Sequence, residues 1–210
     1  MNLCSLKAAI STFSWGIEMT RKVVVCDTDF LSSFLCVDRF DIILKTISGA
    51  ILIPQIVYDE LKRIESSSNK KLKWIVGKLD DEIKKKSVQI VDFGIGSPEF
   101  QEFKKLTSPP MPIGKGEAMA IAFAKSNNGI LASNNLKDIK RFVTAGDILN
   151  ITSDDLLCLF YITYREEITP DEIESIREKM RLFGRRISPD SFYELLSKFH
   201  LEKSHYSEKK

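Results

Sequence analysis

Apolar residues fall along this chain in short unbroken runs, separated by stretches of helical period. The runs are Val23-Val24-Val25-Cys26, Ala50-Ile51-Leu52-Ile53, Val88-Gln89-Ile90-Val91, Gly129-Ile130-Leu131-Ala132 and a last one inside Asp147–Thr152. Runs so short and so rich in β-branched residues predict strands buried on both faces, as in a parallel sheet. Between them, helices are expected at Phe30–Cys36, at Phe40–Ile47 with Gly49 ending it, and from Pro54 through Leu61. Further helices are expected over Leu72–Lys86, Pro98–Leu106 and Gly114–Ala124, and leaving Ser133 toward Asp138. Ser66–Asn69 and Ser108-Pro109-Pro110-Met111-Pro112 read as loops. After the last strand, Ser153-Asp154-Asp155 caps a helix from Leu156 to Tyr164. Thr169-Pro170-Asp171-Glu172 is a capping box opening a helix to about Met180, and Ser188-Pro189-Asp190 starts a final helix through Phe199.

Strands alternating with helices predict an α/β domain at 22–152 with a central parallel sheet. An N-terminal extension over 1–21, C-terminal helices over 153–200 and a frayed tail over 201–210 complete the division. At 210 residues and 43% hydrophobic content the chain can bury a substantial core, which argues against disorder. A net charge of +2 neither demands nor excludes a nucleic-acid partner, so local clusters carry more weight. Lys70, Lys71, Lys73, Lys78, Lys84, Lys85 and Lys86 form one, read as a solvated helix face that could also contact phosphates. Arg177, Lys179, Arg181, Arg185 and Arg186 form another, read as a solvated face. Cys4, Cys26, Cys36 and Cys158 lack paired spacing, which suits reduced thiols in a cytoplasmic protein. His200 and His205 sit too far along the chain to be expected as ligands. No run reaches the roughly 18 apolar residues of a membrane span, and the first twenty residues make a poor secretory signal. Met19 precedes Arg21-Lys22 and the first strand, so the native start is expected at Met19; mass spectrometry finding Met1 or Asn2 at the endogenous N-terminus would refute this.

The candidate chemistry lies beyond the strand ends. Asp27 follows the first run, with Thr28-Asp29 able to cap the next helix. Open α/β sheets bind ligands in the crevice outside the strands' carboxyl ends. Glu60 lies one turn into a helix that starts at a strand's end, and either joins Asp27 or is a plain exposed helix glutamate. Glu117 sits in a first turn, where the helix dipole alone favours an acid. Asn135 and Asp138 leave the end of the fourth run, so parallel strands would bring one of them toward Asp27 and Glu117. Two carboxylates about 4 Å apart repel by roughly 4 kcal/mol at an effective dielectric near 20, so such a group needs protonation or a cation. Oxygen ligands select a hard metal, Mg²⁺ or Mn²⁺, suited to activating water at a phosphodiester.

Four motifs in order carry a resemblance: Val25-Cys26-Asp27-Thr28-Asp29-Phe30-Leu31, Pro54-x-x-Val57-x-x-Glu60-Leu61, Gly116-Glu117-Ala118-x-Ala120-Ile121-Ala122 and Ile130-Leu131-Ala132-Ser133-Asn134-Asn135. Over about residues 22 to 151 the chain resembles the PIN-domain family of metal-dependent ribonucleases, best known as VapC-type toxins of toxin–antitoxin pairs. The resemblance implies a three-layer α/β/α fold and matches Asp27, Glu60 and Glu117 to the family's first three acidic positions. Asp29 stands where the family often has Asn or Ser. The fourth acidic position departs, since many members have Asp where this chain has Asn135 or Asn134. Asp138, one helical turn on, is the candidate replacement. Asp27 and Glu117 would hold the metal, Asp138 or Asn135 would complete it, and Glu60 would ligate through water or orient the nucleophile. Thr28, Ser133 and Asn134 would contact RNA. The C-terminal helices would cover a sheet face, form a homodimer contact or receive an antitoxin.

Two other readings compete. Asn135 in place of an acid suits an inactive or weakened RNA-binding module. Asp27-x-Asp29 with Leu131-Ala132-Ser133-Asn134, Gly146-Asp147 and Asp154-Asp155 also resembles haloacid-dehalogenase phosphatases. The short spacing from Ser133 to Asp147 leaves no room for that family's lysine motif, and Phe30 stands where it usually has Gly.

Overall fold

The computed structural model describes residues 21–66, 75–110, 112–144, 146 and 148–204. The N-terminal extension before Arg21, with Met19 and Cys4, therefore lies outside them, as do Lys70, Lys71 and Lys73, His205 and the tail. Five strands form one sheet: β1 (Val24–Cys26), β2 (Ile51–Pro54), β3 (Gln89–Val91), β4 (Ile130–Ala132) and β5 (Leu149–Ile151). Their order is β3-β2-β1-β4-β5 and every pairing is parallel. Each apolar run is a strand.

The helices are α1 (Thr28–Leu35), α2 (Phe40–Thr46), α3 (Gln55–Ser66), α4 (Ile75–Lys84), α5 (Pro98–Thr107), α6 (Lys115–Ser126), α7 (Leu136–Thr144), α8 (Ser153–Thr163), α9 (Pro170–Leu182) and α10 (Phe192–Ser204). Alternate strand residues feed opposite layers. Val24, Cys26, Ile53 and Ala132 pack with Phe30, Ile43, Val57 and Leu157, so α1, α2, α3 and α8 cover one face. Val25, Leu52 and Leu131 pack with Leu106, Met119, Ile121 and Ile139, so α5, α6 and α7 cover the other. The buried alanines of α6 let it lie close on the sheet. The C-terminal helices belong to the first layer: Ile173, Met180, Phe192 and Phe199 join the same core as the strands.

Several boundaries differ from expectation. Pro54 is the last residue of β2, and the helix starts after it. Gly49 ends no helix; a Cβ there would lie 2.0 Å from the Lys22 carbonyl oxygen, so its smallness serves the close approach of two backbones. Asp27 itself, not Thr28-Asp29, caps α1, its carboxylate accepting from the Phe30 amide at 2.7 Å. Thr152 caps α8, in a capping box with Asp155, which frees Asp154 for another partner. The last helix begins at Phe192, with Ser191 and Glu194 exchanging the capping-box bonds, because Ser188 and Asp190 are engaged elsewhere. The box at Thr169 is formed as expected.

Candidate active site

The strand order reverses at β1, whose neighbours β2 and β4 precede and follow long connections, so the crevice opens beyond the ends of β1 and β4. There lies a cavity of about 440 Å³. Its acidic wall is Asp27, Asp29, Glu60 and Glu117; Thr28 and Asn135 complete that side. Asp27 follows β1 directly, and its amide donates to the Ala132 carbonyl at 3.0 Å, which locks the turn to the neighbouring strand. Its side chain is 3% exposed. Burial pushes the Asp27 carboxyl up to about 7, helped by the charges of Asp29 and Glu117, against the Ser133 hydroxyl and Phe30 amide that pull it down. Burial also raises Asp29 and Glu117.

Glu60 reaches the crevice from the second turn of α3, where the Thr28 hydroxyl donates to its Oε2. Gly116 lies against it: a Cβ there would come within 3.0 Å of Glu60 Oε2, so glycine leaves room for that carboxylate. Asn135 Nδ2 donates to Glu117 Oε1 and, at 2.7 Å, to Asp138 Oδ2. Asp138 is exposed and stands one side chain back from the cavity, which Asn135 lines instead.

Ser133 and Asn134 are turned inward. Ser133 is fully buried, and its Oγ accepts the Asn135 amide at 3.1 Å, shaping the turn after β4. Asn134 donates to Ser33 Oγ (3.2 Å) and Ser153 Oγ (2.9 Å) and accepts the Ser153 amide (2.7 Å), tying α1 and α8 to the end of β4. Neither lines the cavity. Their side chains bond to the scaffold and, for Ser133, to the Asp27 carboxylate.

Sequence reasoning missed two features. Asp29, passed over as a position where Asn or Ser is common, lines the cavity with its Oδ2 buried and unpartnered. The signal was the Asp-x-Asp spacing across a helix start. The cavity also has a basic wall, which adjoins Asp29: Gly184, Arg185 and Arg186 from the loop after α9. Reading the arginine cluster as one solvated face was wrong. Arg177 is fully buried, donating from Nε to Asp154 (2.8 Å), from Nη1 to Glu174 (2.5 Å) and from Nη2 to the carbonyls of Ser188 (3.1 Å) and Asp190 (2.9 Å). The described lysines of α4 do behave as a solvated face. Lys78, Lys84 and Lys85 pair with Asp38, Asp81 and Glu82, away from the crevice.

Among the described residues no three Asp, Glu, His or Cys side chains are gathered tightly enough to hold a metal ion directly. The donor chemistry nevertheless fits Mg²⁺ or Mn²⁺, since buried carboxylate oxygens, one of them orphaned, face a cavity wide enough for a partly hydrated ion.

A doubly wound parallel sheet with acids gathered beyond its strand ends has the make-up of a PIN-type domain. A PIN-domain family model, DUF3368, matches residues 23–200, and the chain belongs to that family. The match runs through the C-terminal helices. Among solved structures the chain is similar to one in the crystal structure of VapBC2 from Rickettsia felis bound to a DNA fragment from their promoter. The identity is 21% and the TM-score 0.46, over 62% of this chain and 98% of that one. No curated protein sequence matches the chain significantly. The phosphatase alternative falls with the family match, and Asp154, part of its supposed last motif, is bound to buried Arg177.

Proposed function

We propose that the protein is a metal-dependent ribonuclease that hydrolyses RNA phosphodiester bonds. One observation carries the reading: Asp27, Asp29, Glu60 and Glu117 share one cavity, and burial there disfavours the charge of Asp27, Asp29 and Glu117, an arrangement that costs free energy unless a cation enters. Asp27, Asp29 and Glu117 would hold Mg²⁺ or Mn²⁺ largely through its bound waters, with the Asn135 amide beside Glu117 as a further neutral partner. The ion, when bound, supplies an activated water and neutralises charge on the phosphodiester. Asp27 accepts from the Phe30 amide and is bonded by the Ser133 hydroxyl, and these two contacts fix a carboxylate that lines the crevice. Glu60, oriented by Thr28, accepts a proton from the attacking water across the cavity. Asp138 keeps the Asn135 amide in place through its hydrogen bond and adds negative charge behind Glu117.

A toxin role in a toxin–antitoxin pair, with an antitoxin as protein partner, extends this proposal on the strength of the VapC-type motifs. A cytoplasmic location agrees with three free buried cysteines, and no helix among the described residues is long and apolar enough to cross a membrane. A second reading, an RNA-binding module without activity, is favoured by Asn135, whose amide group now faces two carboxylates. Cleavage of mixed tRNA and structured RNA with Mg²⁺, Mn²⁺ or EDTA separates the two. Metal-dependent cutting lost in Asp27→Asn supports the nuclease; RNA retention without cutting under any metal supports the module.

A further inference from the structure

The basic wall of the cavity is built as deliberately as the acidic one. Helix α9 ends in a reciprocal turn: the Gly184 amide donates to the Arg181 carbonyl at 2.8 Å and the Arg185 amide to the Met180 carbonyl at 3.0 Å, with Gly184 at φ +71°. Only glycine adopts that conformation without strain, and it turns the chain sharply toward the strand ends. The far side of the loop is clamped by Arg177 and Arg181, both donating to the Ser188 carbonyl, while Asp154 accepts the Ser188 amide at 2.9 Å. Arg185 and Arg186 are thereby presented to the crevice between two fixed ends.

The two differ in what they touch. Arg185 donates to Ser32 Oγ at 2.7 Å and to the Phe183 carbonyl at 3.2 Å, and its Nη1 lies 3.7 Å from Asp29 Oδ1. It is half-buried and already satisfied. Arg186 is exposed and lines the cavity, and its charge is felt by both Asp29 and Glu117. Among the described residues its guanidinium makes no hydrogen bond or close ion pair, so its planar array of donors is unused. A carboxylate-lined cavity repels a phosphodiester, and a guanidinium fork is the group that binds one bidentately.

We propose that Arg186 binds a non-bridging phosphate oxygen pair of the RNA backbone at the cavity mouth, with Arg185 and buried Arg177 as positioning residues that hold its loop. This rests on the ribonuclease reading above and names how that site takes its substrate. The test uses a fluorescein-labelled single-stranded RNA oligonucleotide, with affinity measured in EDTA across a salt series and initial rates measured in Mn²⁺. Arg186→Ala should weaken binding about tenfold and make the slope of log K against log salt shallower by about 0.7, the value of one single-strand phosphate contact. It should raise KM more than it lowers kcat. Arg186→Lys should keep the salt slope while losing part of the affinity, because a point charge replaces a fork. Arg165→Ala, which removes an exposed arginine that pairs with Glu166, is the control and should change neither quantity. Wild-type affinity and slope in Arg186→Ala, or tighter binding, would overturn the proposal while leaving the nuclease intact. Wild-type protein that neither binds nor cuts RNA would overturn the ribonuclease reading and this inference with it.

Discussion

The acidic wall of the crevice is made by side chains that follow a strand, as Asp27 does, or sit in the early turns of a helix packed on the sheet, as Glu60 and Glu117 do, whereas the basic wall hangs on a loop of the C-terminal helices, held by a buried arginine. Asp27 is fixed by backbone that the sheet itself fixes, through the Ala132 carbonyl and the first turn of α1. Arg186 is fixed at second hand, by Arg177 and Arg181 gripping the Ser188 carbonyl and by Glu174 holding the Phe192 amide at 2.7 Å. A wall made at strand ends stands wherever the sheet stands. A wall made by a loop needs its own supports.

The comparison can be broken experimentally. The largest effect is expected for Asp27→Asn: RNA cleavage should fall on the order of a hundredfold or more, since even outer partners of metal ligands cost 10 to 100-fold. The fold should survive, because asparagine still accepts the Phe30 amide as a cap, and full activity in this variant would remove the acidic wall from the chemistry. Next, Arg177→Met leaves Asp154 and Glu174 with an uncompensated buried partner position and should cost about 3 kcal/mol in urea unfolding. A change within error would show that the loop stands without its clamp.

A pH series sharpens the contrast. Asp27 holds its proton up to about pH 7 in the folded protein but releases it near pH 4 when unfolded, so between those values the folded state binds more protons. Metal-free stability should therefore fall as pH rises, by about 2 kcal/mol between roughly pH 5 and 7. Asp27→Asn should flatten that slope; an unchanged slope would assign it to another group. Asn135→Asp adds a charged donor where a neutral one stands and should tighten Mg²⁺ binding about tenfold by calorimetry, an outcome that equal affinities would refute. The smallest effect is expected on α4, where Lys84→Gln and Lys85→Gln remove exposed ion pairs and should leave RNA affinity within about twofold.

The contrast also explains what was legible in the sequence. The three inner strands could be found because burial on both faces leaves an unbroken apolar run, whereas the edge strands β3 and β5 are only partly buried and showed as shorter runs interrupted by Gln89 and Asn150. Asp27 and Glu60 could be found because sequence position relative to those runs determines where they lie, and Glu117 because it opens the alanine-rich helix that lies against the sheet. Asp29 was overlooked although it obeys the same rule, since attention to what usually occupies that position hid its place beside Asp27. The roles of Ser133 and Asn134 could not be told from local pattern: a polar residue at a strand end is equally suited to a ligand or to a neighbouring helix, and here Ser153 and Ser33 take up Asn134. Arg177 was hidden for a longer-range reason. Its partner Asp154 lies 23 positions earlier on α8, where three acidic or hydroxyl residues in a row look like nothing more than a cap.

The turn at Gly184 has a consequence for how this family member can vary in length. Only Arg185, Arg186 and Ile187 separate the glycine from Ser188, and hydrogen bonds pin both ends of that segment. It works as a ruler. An inserted or deleted residue would leave every helix and strand intact yet exchange the side chain presented to the crevice, replacing Arg186 by its neighbour. Substitutions in the loop can drift one at a time, but its length is tied to what the crevice receives.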